Sequence, residues 1–287
     1  PDRVLVHGDT TTTFAVALAS YYKKIPVGHI EAGLRTGNKF SPYPEEINRR
    51  MTSSMASFHF PPTEQSRQNL LNEGISPQTI KLTGNTVIDA LLTVSNKIDS
   101  HSYEFETYFR EKFNIQFNQQ KTVLITGHRR ENFGVRFENI CSAIKHIAEN
   151  NNVQVIYPVH LNPNVLETVS RILGKVDNVF LIQPQDYVPF ILLMKKAHIV
   201  LTDSGGVQEE APSLGKPVLV MRDTTERPEG IEAGTAKLVG TDQKKIISSV
   251  ELLLHNKTEY NKMARAVNPY GDGKAALNIL NFFKKYF

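Results

Sequence analysis

The chain contains a single cysteine, Cys141, in 287 residues. One thiol excludes an internal disulfide and offers no metal-ligand spacing, and it favours a reducing compartment. No apolar run approaches the roughly 20 residues that span a bilayer, and no signal-peptide pattern opens the chain. A cytoplasmic protein with no membrane partner is therefore expected. A large excess of one charge is also missing, because 33 Lys and Arg face 29 Asp and Glu. The basic residues are scattered, with no run longer than pairs such as Arg129-Arg130 and Lys284-Lys285, which argues against nucleic acid as a partner. There is no internal repeat and no low-complexity tract. An initiator Met is absent as well, and Pro1 leads at once into the strand-like run Arg3-Val4-Leu5-Val6-His7. The first domain is accordingly expected to be incomplete at its start.

What is present is an alternation of short apolar runs with amphipathic stretches. A hydrophobic content of 40% over 287 residues suits two packed cores. Strands are predicted at 3–7, 26–30, 57–60, 79–83, 121–126, 153–159, 178–182, 197–202 and 217–221. Helices are predicted at 12–22, 44–56, 63–72, 85–99, 134–149, 163–173, 187–195, 206–214, 243–255 and 273–285. This order predicts two doubly wound α/β domains facing each other across a cleft, with functional side chains at the carboxyl ends of parallel strands. The segment from 100 to 120, rich in Tyr, Phe, Gln, Asn and charge, is expected to be an exposed inter-domain or peripheral stretch.

The most informative stretch is Ile199-Val200-Leu201-Thr202-Asp203-Ser204-Gly205-Gly206, followed by Val207 to Pro212. An apolar strand breaks into a Ser-Gly-Gly turn and opens a helix. Glycines let the backbone approach a ligand closely, and free N–H groups at a helix start can bind a diphosphate. Glu210, further into the helix, could accept hydrogen bonds from ribose hydroxyls. The competing reading is a tight turn with Ser204 as N-cap and Glu209 or Glu210 favouring the helix dipole. The residues alone leave the two even.

Four further clusters sit at predicted strand ends. In His7-Gly8-Asp9-Thr10-Thr11, a threonine can cap the following helix, whereas Asp9 has no such ordinary duty. In Glu31-Ala32-Gly33-Leu34-Arg35, an acid directly follows a strand, with a Glu31–Arg35 ion pair as the plain alternative. In Pro44-Glu45-Glu46-Ile47-Asn48-Arg49, proline as first helical residue and two acids in the first turn favour capping over catalysis. In Gly127-His128-Arg129-Arg130, one His and two Arg on a loop could neutralise a diphosphate.

Taken in order, these motifs resemble the non-hydrolysing UDP-N-acetylglucosamine 2-epimerases, bacterial enzymes of the two-domain glycosyltransferase-B type. The resemblance also covers Thr83-Gly84-Asn85-Thr86, Pro158-Val159-His160-Leu161-Asn162-Pro163, Arg222-Asp223-Thr224-Thr225-Glu226-Arg227-Pro228 and Asn268-Pro269-Tyr270-Gly271-Asp272. It implies two Rossmann-like domains, the first from 1–84 with a returning helix at 269–287 and the second from 85–268. It implies reversible conversion of UDP-GlcNAc to UDP-ManNAc for surface polysaccharide, without metal or cofactor, through elimination of UDP and its re-addition. The catalytic positions of the family match Asp9, Glu31, Glu45 and His128. Phe190 falls at the uracil, Ser204, Gly205 and Gly206 at the diphosphate, and Glu210 at the ribose. Arg129, Arg130 and His160 match regulatory or phosphate contacts, implying a second UDP-GlcNAc as activator, and a homodimer is implied as well. The chain departs from the pattern near Ser53, where a glycine is expected, and near Ser57, where an acid is expected. A glycosyltransferase-B type sugar transferase and a non-catalytic UDP-sugar-binding fragment are the alternative readings.

Overall fold

The computed structural model describes residues 1–285, which fall into two α/β units, Pro1–Ala90 with Pro269 onward, and Leu91–Asn268. The division falls inside helix α4 (Thr86–Ser100).

The second unit is built on six parallel strands: β4 (Lys121–Thr126), β5 (Val153–Pro158), β6 (Val179–Ile182), β7 (Ile199–Thr202), β8 (Val218–Val220) and β9 (Ala236–Leu238). Their spatial order is β6-β5-β4-β7-β8-β9, the arrangement of a doubly wound nucleotide-binding sheet. Alternate residues of each strand serve different cores. Val123, Ile125, Val155, Tyr157, Ile199 and Leu201 pack into one, whereas Leu124, Ile156 and Val200 pack into the other. The strands read as continuous apolar runs because both faces are covered. On the first face lies α6 (Val135–Asn150), whose Phe137, Ile140, Cys141, Ile144 and Ile147 recur at helical spacing and are buried. With it lie α7 (Pro163–Leu173) and α11 (Gln243–His255).

The opposite core corrects one expectation. The 100–120 segment is not an exposed peripheral stretch: it contains helix α5 (Ser102–Phe113), ended by Asn114 at φ 56°. Phe109 and Ile115 are fully buried, and Phe109 meets Tyr108, Phe113 and Phe117 at centroid distances of 5.1–5.9 Å. Phe105, Phe109 and Phe113 recur every fourth residue and form one apolar stripe within a polar composition. Helix α8 (Tyr187–Lys196) packs on the same side. Helices α9 (Gly205–Ser213), α10 (Pro228–Glu232) and α12 (Lys257–Ala264) complete this unit. The short elements β9, α10 and α12 were not expected from the sequence.

The first unit has three parallel strands in the order β1 (Val4–His7), β2 (Val27–Ile30) and β3 (Phe58–Phe60), with β1 at an edge. Helices α1 (Thr11–Tyr22), α2 (Glu45–Met55), α3 (Glu64–Asn72) and α13 (Ala275–Phe283) surround them. The predicted strand at 79–83 does not form. Pro77–Thr79 takes a 3₁₀ turn, Gly84 turns at φ 82°, and only one bridge, His59–Ile80, joins the sheet. Helix α13 is anchored by Asp89, whose two carboxylate oxygens accept the Ala275 and Ala276 N–H groups at 3.1 and 2.9 Å. Its Phe283 packs with Phe60 and Ile279. No helix among the described residues is long and apolar enough to cross a membrane.

Candidate functional site

The order of the second sheet reverses between β4 and β7, which are neighbours in register from Val123↔Ile199 to Thr126↔Thr202. From β4 the chain winds outward to β5 and β6, and from β7 to β8 and β9. Loops leaving the carboxyl ends of two such strands diverge and leave a crevice between them, the usual ligand position in open α/β sheets. A cavity of about 310 Å³ lies there, lined among others by His128, His160, Tyr187, Phe190, Ser204, Gly206 and Glu210.

Asp203 holds the two loops together. It is fully buried, and its carboxylate accepts the backbone N–H of His128 at 3.0 Å and of Arg129 at 2.9 Å, as well as Asn132 Nδ2 at 3.2 Å. Three donors on one carboxylate fix the β4 loop against the β7 turn, because each would be costly to bury unpaired. His128 presents its half-exposed ring beside that loop, stacked on His160 with centroids 5.2 Å apart. Burial lowers the His128 pKa, and His160 and Arg129 lower it further, against the Asp203 carboxylate 3.8 Å away.

The Ser-Gly-Gly turn divides its duties. Ser204 is the N-cap of α9, yet its side chain makes no capping bond. The capping reading therefore fails for the hydroxyl, which lines the cavity. A side chain at Gly205 would lie 2.5 Å from an Arg227 guanidinium nitrogen and 2.9 Å from Glu226 Oε1. Its lack of side chain is thus required by the ion pairs behind the turn. Gly206 has nothing closer than Glu210 Oε2 at 3.8 Å, and it faces the cavity. The first N–H groups of α9 have no partner within their own helix.

Behind the turn, Glu226 receives Arg222 at 2.7 Å and Arg227 at 2.6 Å, with Arg129 at 3.7 Å. Burial would raise the Glu226 pKa, but these guanidinium groups override it and hold it at about 2. Glu209 pairs with Arg227 at 2.5 Å, while its neighbour Glu210 accepts a hydrogen bond from the Tyr187 hydroxyl at 2.8 Å. Burial pushes the Glu210 pKa up to about 7, despite the Tyr187 hydrogen bond and with help from the Glu209 charge. Of the two adjacent arginines, Arg129 is drawn towards Glu226 and the Asp203 carbonyl, whereas Arg130 is exposed and has no side-chain partner among the described residues.

The first unit gathers its carboxylates at the ends of β1 and β2. Asp9 follows β1 and is paired with Arg49 of α2 at 2.6 Å, while Asn48 Nδ2 donates to the Asp9 carbonyl at 3.0 Å. Glu31 follows β2 with φ 63°, a left-handed conformation that is uncommon and strained for a residue with a Cβ. Its carboxylate lies 3.2 Å from His7 Nε2. The alternative Glu31–Arg35 pair does not form, because Arg35 is taken by Glu73 at 2.6 Å. The β1 turn at Gly8, φ 71°, is fastened by buried His29, whose ring nitrogen meets the Gly8 carbonyl at 2.8 Å and whose pKa burial lowers to about 3.

The Pro-Glu-Glu start of α2 also divides. Pro44 is the N-cap, not the first helical residue as expected. Glu46 is fully buried and accepts the N–H groups of Thr36 and Gly37 at 3.1 and 3.2 Å, with Arg49 at 3.2 Å. Glu45 is half-buried and its carboxylate has no partner among the described residues. Sequence reasoning gave no role to Asp203, Tyr187, His29 or Arg49, and gave Glu46 only a place in a helix cap. The motifs contain Asp203, Glu46 and Arg49, but no signal marked Tyr187 or His29.

A family model described as UDP-N-acetylglucosamine 2-epimerase matches residues 1–284. The UDP-N-acetylglucosamine 2-epimerase of Salmonella typhimurium is 58% identical over 287 residues, covering 100% of this chain and 76% of that protein. That of Escherichia coli K12 is 58% identical over 285 residues, covering 99% of this chain and 76% of the relative. The crystal structure of the Neisseria meningitidis enzyme bound to UDP-GlcNAc superposes with a TM-score of 0.94 at 53% identity, over 99% of this chain and 76% of that one. The Methanocaldococcus jannaschii enzyme in complex with UDP-GlcNAc and UDP gives 0.83 at 37% identity, over 99% and 76%. Over nearly its whole length the sequence thus matches epimerases, and the chain belongs to the UDP-N-acetylglucosamine 2-epimerase family.

Proposed function

We propose that the chain carries out the non-hydrolysing interconversion of UDP-GlcNAc and UDP-ManNAc. The observation that carries the reading is the cavity at the β4/β7 strand ends, where Ser204, Gly206 and the start of α9 meet His128 on the Asp203-held loop. UDP binds there with uracil against Phe190, ribose hydroxyls on Glu210, and diphosphate on Ser204, Gly205 and Gly206. The buried Glu210, its pKa pushed up to about 7, suits hydroxyls, which can donate to its carboxylate or accept from its acid form. His128 donates to the departing diphosphate.

The carboxylates of the first unit supply the chemistry at the sugar. A carboxylate among Asp9, Glu31 and Glu45 takes the C2 proton, and the C2–H electron pair becomes the C1=C2 double bond as the C1–O pair leaves with UDP. The product, 2-acetamidoglucal, then receives a proton on the opposite face of C2 while UDP oxygen re-forms the bond to C1. Negative charge on the remaining carboxylates stabilises the oxocarbenium-like C1. Glu45 has no partner to displace among the described residues, which leaves its carboxylate open to substrate. Arg129, Arg130 and His160 are assigned to a second, activating UDP-GlcNAc, and the working form is a homodimer that supplies ManNAc units to surface polysaccharide.

Incubation with UDP-GlcNAc in D2O, followed by NMR, tests the reading. Deuterium at C2 of both epimers is expected. Free ManNAc with UDP would indicate hydrolysis instead, and a requirement for an acceptor would indicate sugar transfer. Calorimetry that finds one UDP-GlcNAc per subunit would remove the activating site.

A further inference from the structure

A second cavity, of about 620 Å³, lies where β4, β5 and β7 begin, at the other end of the sheet from the nucleotide pocket. The length of β4, roughly 17 Å at about 3.3 Å per residue, separates the two. Lys121, Lys196, Lys216, His198 and His255 contribute to its lining, which contains no carboxylate. Two of these groups are already occupied: Lys196 pairs with Glu106 at 2.5 Å, and His255 is hydrogen-bonded to Asn151 at 2.9 Å.

The other three are not balanced. Lys121 donates to the Leu254 carbonyl at 2.6 Å, a dipole that leaves its charge uncompensated. Lys216 is half-buried and has no side-chain partner among the described residues. Its pKa is lowered by burial and then by Lys195 and Lys196. His198 lies flat on Tyr260, centroids 4.2 Å apart and planes 5° from parallel. Its Nε2 is shielded from solvent and has no hydrogen-bond partner among the described residues. Burial, Lys121 and Lys216 together lower its pKa to about 4. Like charges gathered around a shielded imidazole destabilise the fold, and one nearby carboxylate would relieve them. The rim instead offers the amides of Asn118, Gln119, Gln120 and Asn152.

We propose that this cavity is a second ligand site, independent of the nucleotide pocket, that takes a small phosphate-bearing dianion. Lys216 and Lys121 supply the charge and the rim amides hold accompanying hydroxyls or phosphate oxygens, while the shielded His198 ring beside them feels the added negative charge. An anion placed there reverses the balance at His198 and favours its protonated form.

Imidazole NMR of the whole chain, titrated with inorganic pyrophosphate and separately with glucose 6-phosphate, tests the proposal. The His198 signals are expected to move saturably and its pKa to rise. Tighter binding of pyrophosphate would assign the site to diphosphates, and tighter binding of glucose 6-phosphate to sugar phosphates. Lys216→Gln should weaken binding roughly tenfold or more, as loss of a charge-assisted contact does, with thermal unfolding no lower than that of the parent. A His198 that responds saturably to neither probe would overturn the proposal. So would unchanged affinity in both Lys216→Gln and Lys121→Gln, or a response confined to His128 and His160, which line the nucleotide pocket.

Discussion

Replacing Gly205 and Gly206 by alanine, one at a time, separates packing from ligand binding within a single turn. At Gly205 the new Cβ would lie 2.5 Å from an Arg227 nitrogen, about 1 Å inside an ordinary contact distance of roughly 3.5 Å. Arg227 cannot swing away freely, because it is held by Glu209 at 2.5 Å and Glu226 at 2.6 Å. Overpacking of this kind costs about 1–3 kcal/mol. Breaking the buried ion pair instead would cost about 3–5 kcal/mol. Alanine in a helical position recovers at most about 1 kcal/mol of that. A net loss of about 2 kcal/mol corresponds to a fall in Tm of roughly 4–8 °C for a unit of this size. At Gly206 the nearest atom would be 3.8 Å away, so Gly206→Ala should melt at or slightly above the parent temperature. The methyl group enters the cavity, however, and UDP affinity should fall. Scanning calorimetry and titration calorimetry with UDP read the two effects. Equal melting of Gly205→Ala and parent, or equal destabilisation by both substitutions, would refute the argument.

Glu210 offers a pH test. Its folded pKa of about 7 stands above the ordinary 4.5, so the folded state retains a proton that the unfolded state loses. Stability is therefore full below about 4.5 and declines as pH rises to about 7, by up to about 3 kcal/mol. Urea unfolding should give this slope, and Glu210→Gln should flatten it. At the start of α2, Glu46→Gln should destabilise the first unit by about 1–3 kcal/mol, since Glu46 answers Thr36, Gly37 and Arg49. Glu45→Gln should unfold like the parent and lose turnover in the D2O exchange assay. Cys141 is buried and its thiol is pushed up to about 12. It should react with a thiol reagent only in denaturant, and rapid labelling of the folded chain would contradict its place in the core.

Much of the fold was legible because parallel strands covered on both faces must be apolar at every position. Ile199-Val200-Leu201-Thr202 announces itself for that reason, and its residues are all buried. The stripe in α5 did not, because aromatic residues four apart are diluted by Glu, Arg and Lys between them. The loops at the strand ends were legible as motifs, yet their supports were not. Arg49 reaches Asp9 from 40 positions away, and Asp203 receives His128 from 75 away. Pairings at such separations are set by strand order and leave no local pattern to read.

A finer ambiguity recurs three times, and its resolution is the same each time. Glu45-Glu46, Gly205-Gly206 and Glu209-Glu210 are adjacent like residues at or near a helix start, where one reading is structural and the other functional. Consecutive helical residues point roughly 100° apart, so a pair cannot face one environment. Glu46 turns inward to the Thr36–Gly37 backbone, while Glu45 is unpartnered among the described residues. Gly205 lies against the Arg227–Glu226 pair, while Gly206 lines the cavity. Glu209 is consumed by Arg227, while Glu210 meets Tyr187 at the cavity wall. One member of each pair therefore meets the structural reading, and the functional reading falls to the other. Each structural member supports the turn or helix that carries its neighbour. A substitution at Glu46 or Glu209, or a side chain added at Gly205, whose backbone N–H stays in place, should thus act first through folding, and one at Gly206, Glu45 or Glu210 should reach the site directly.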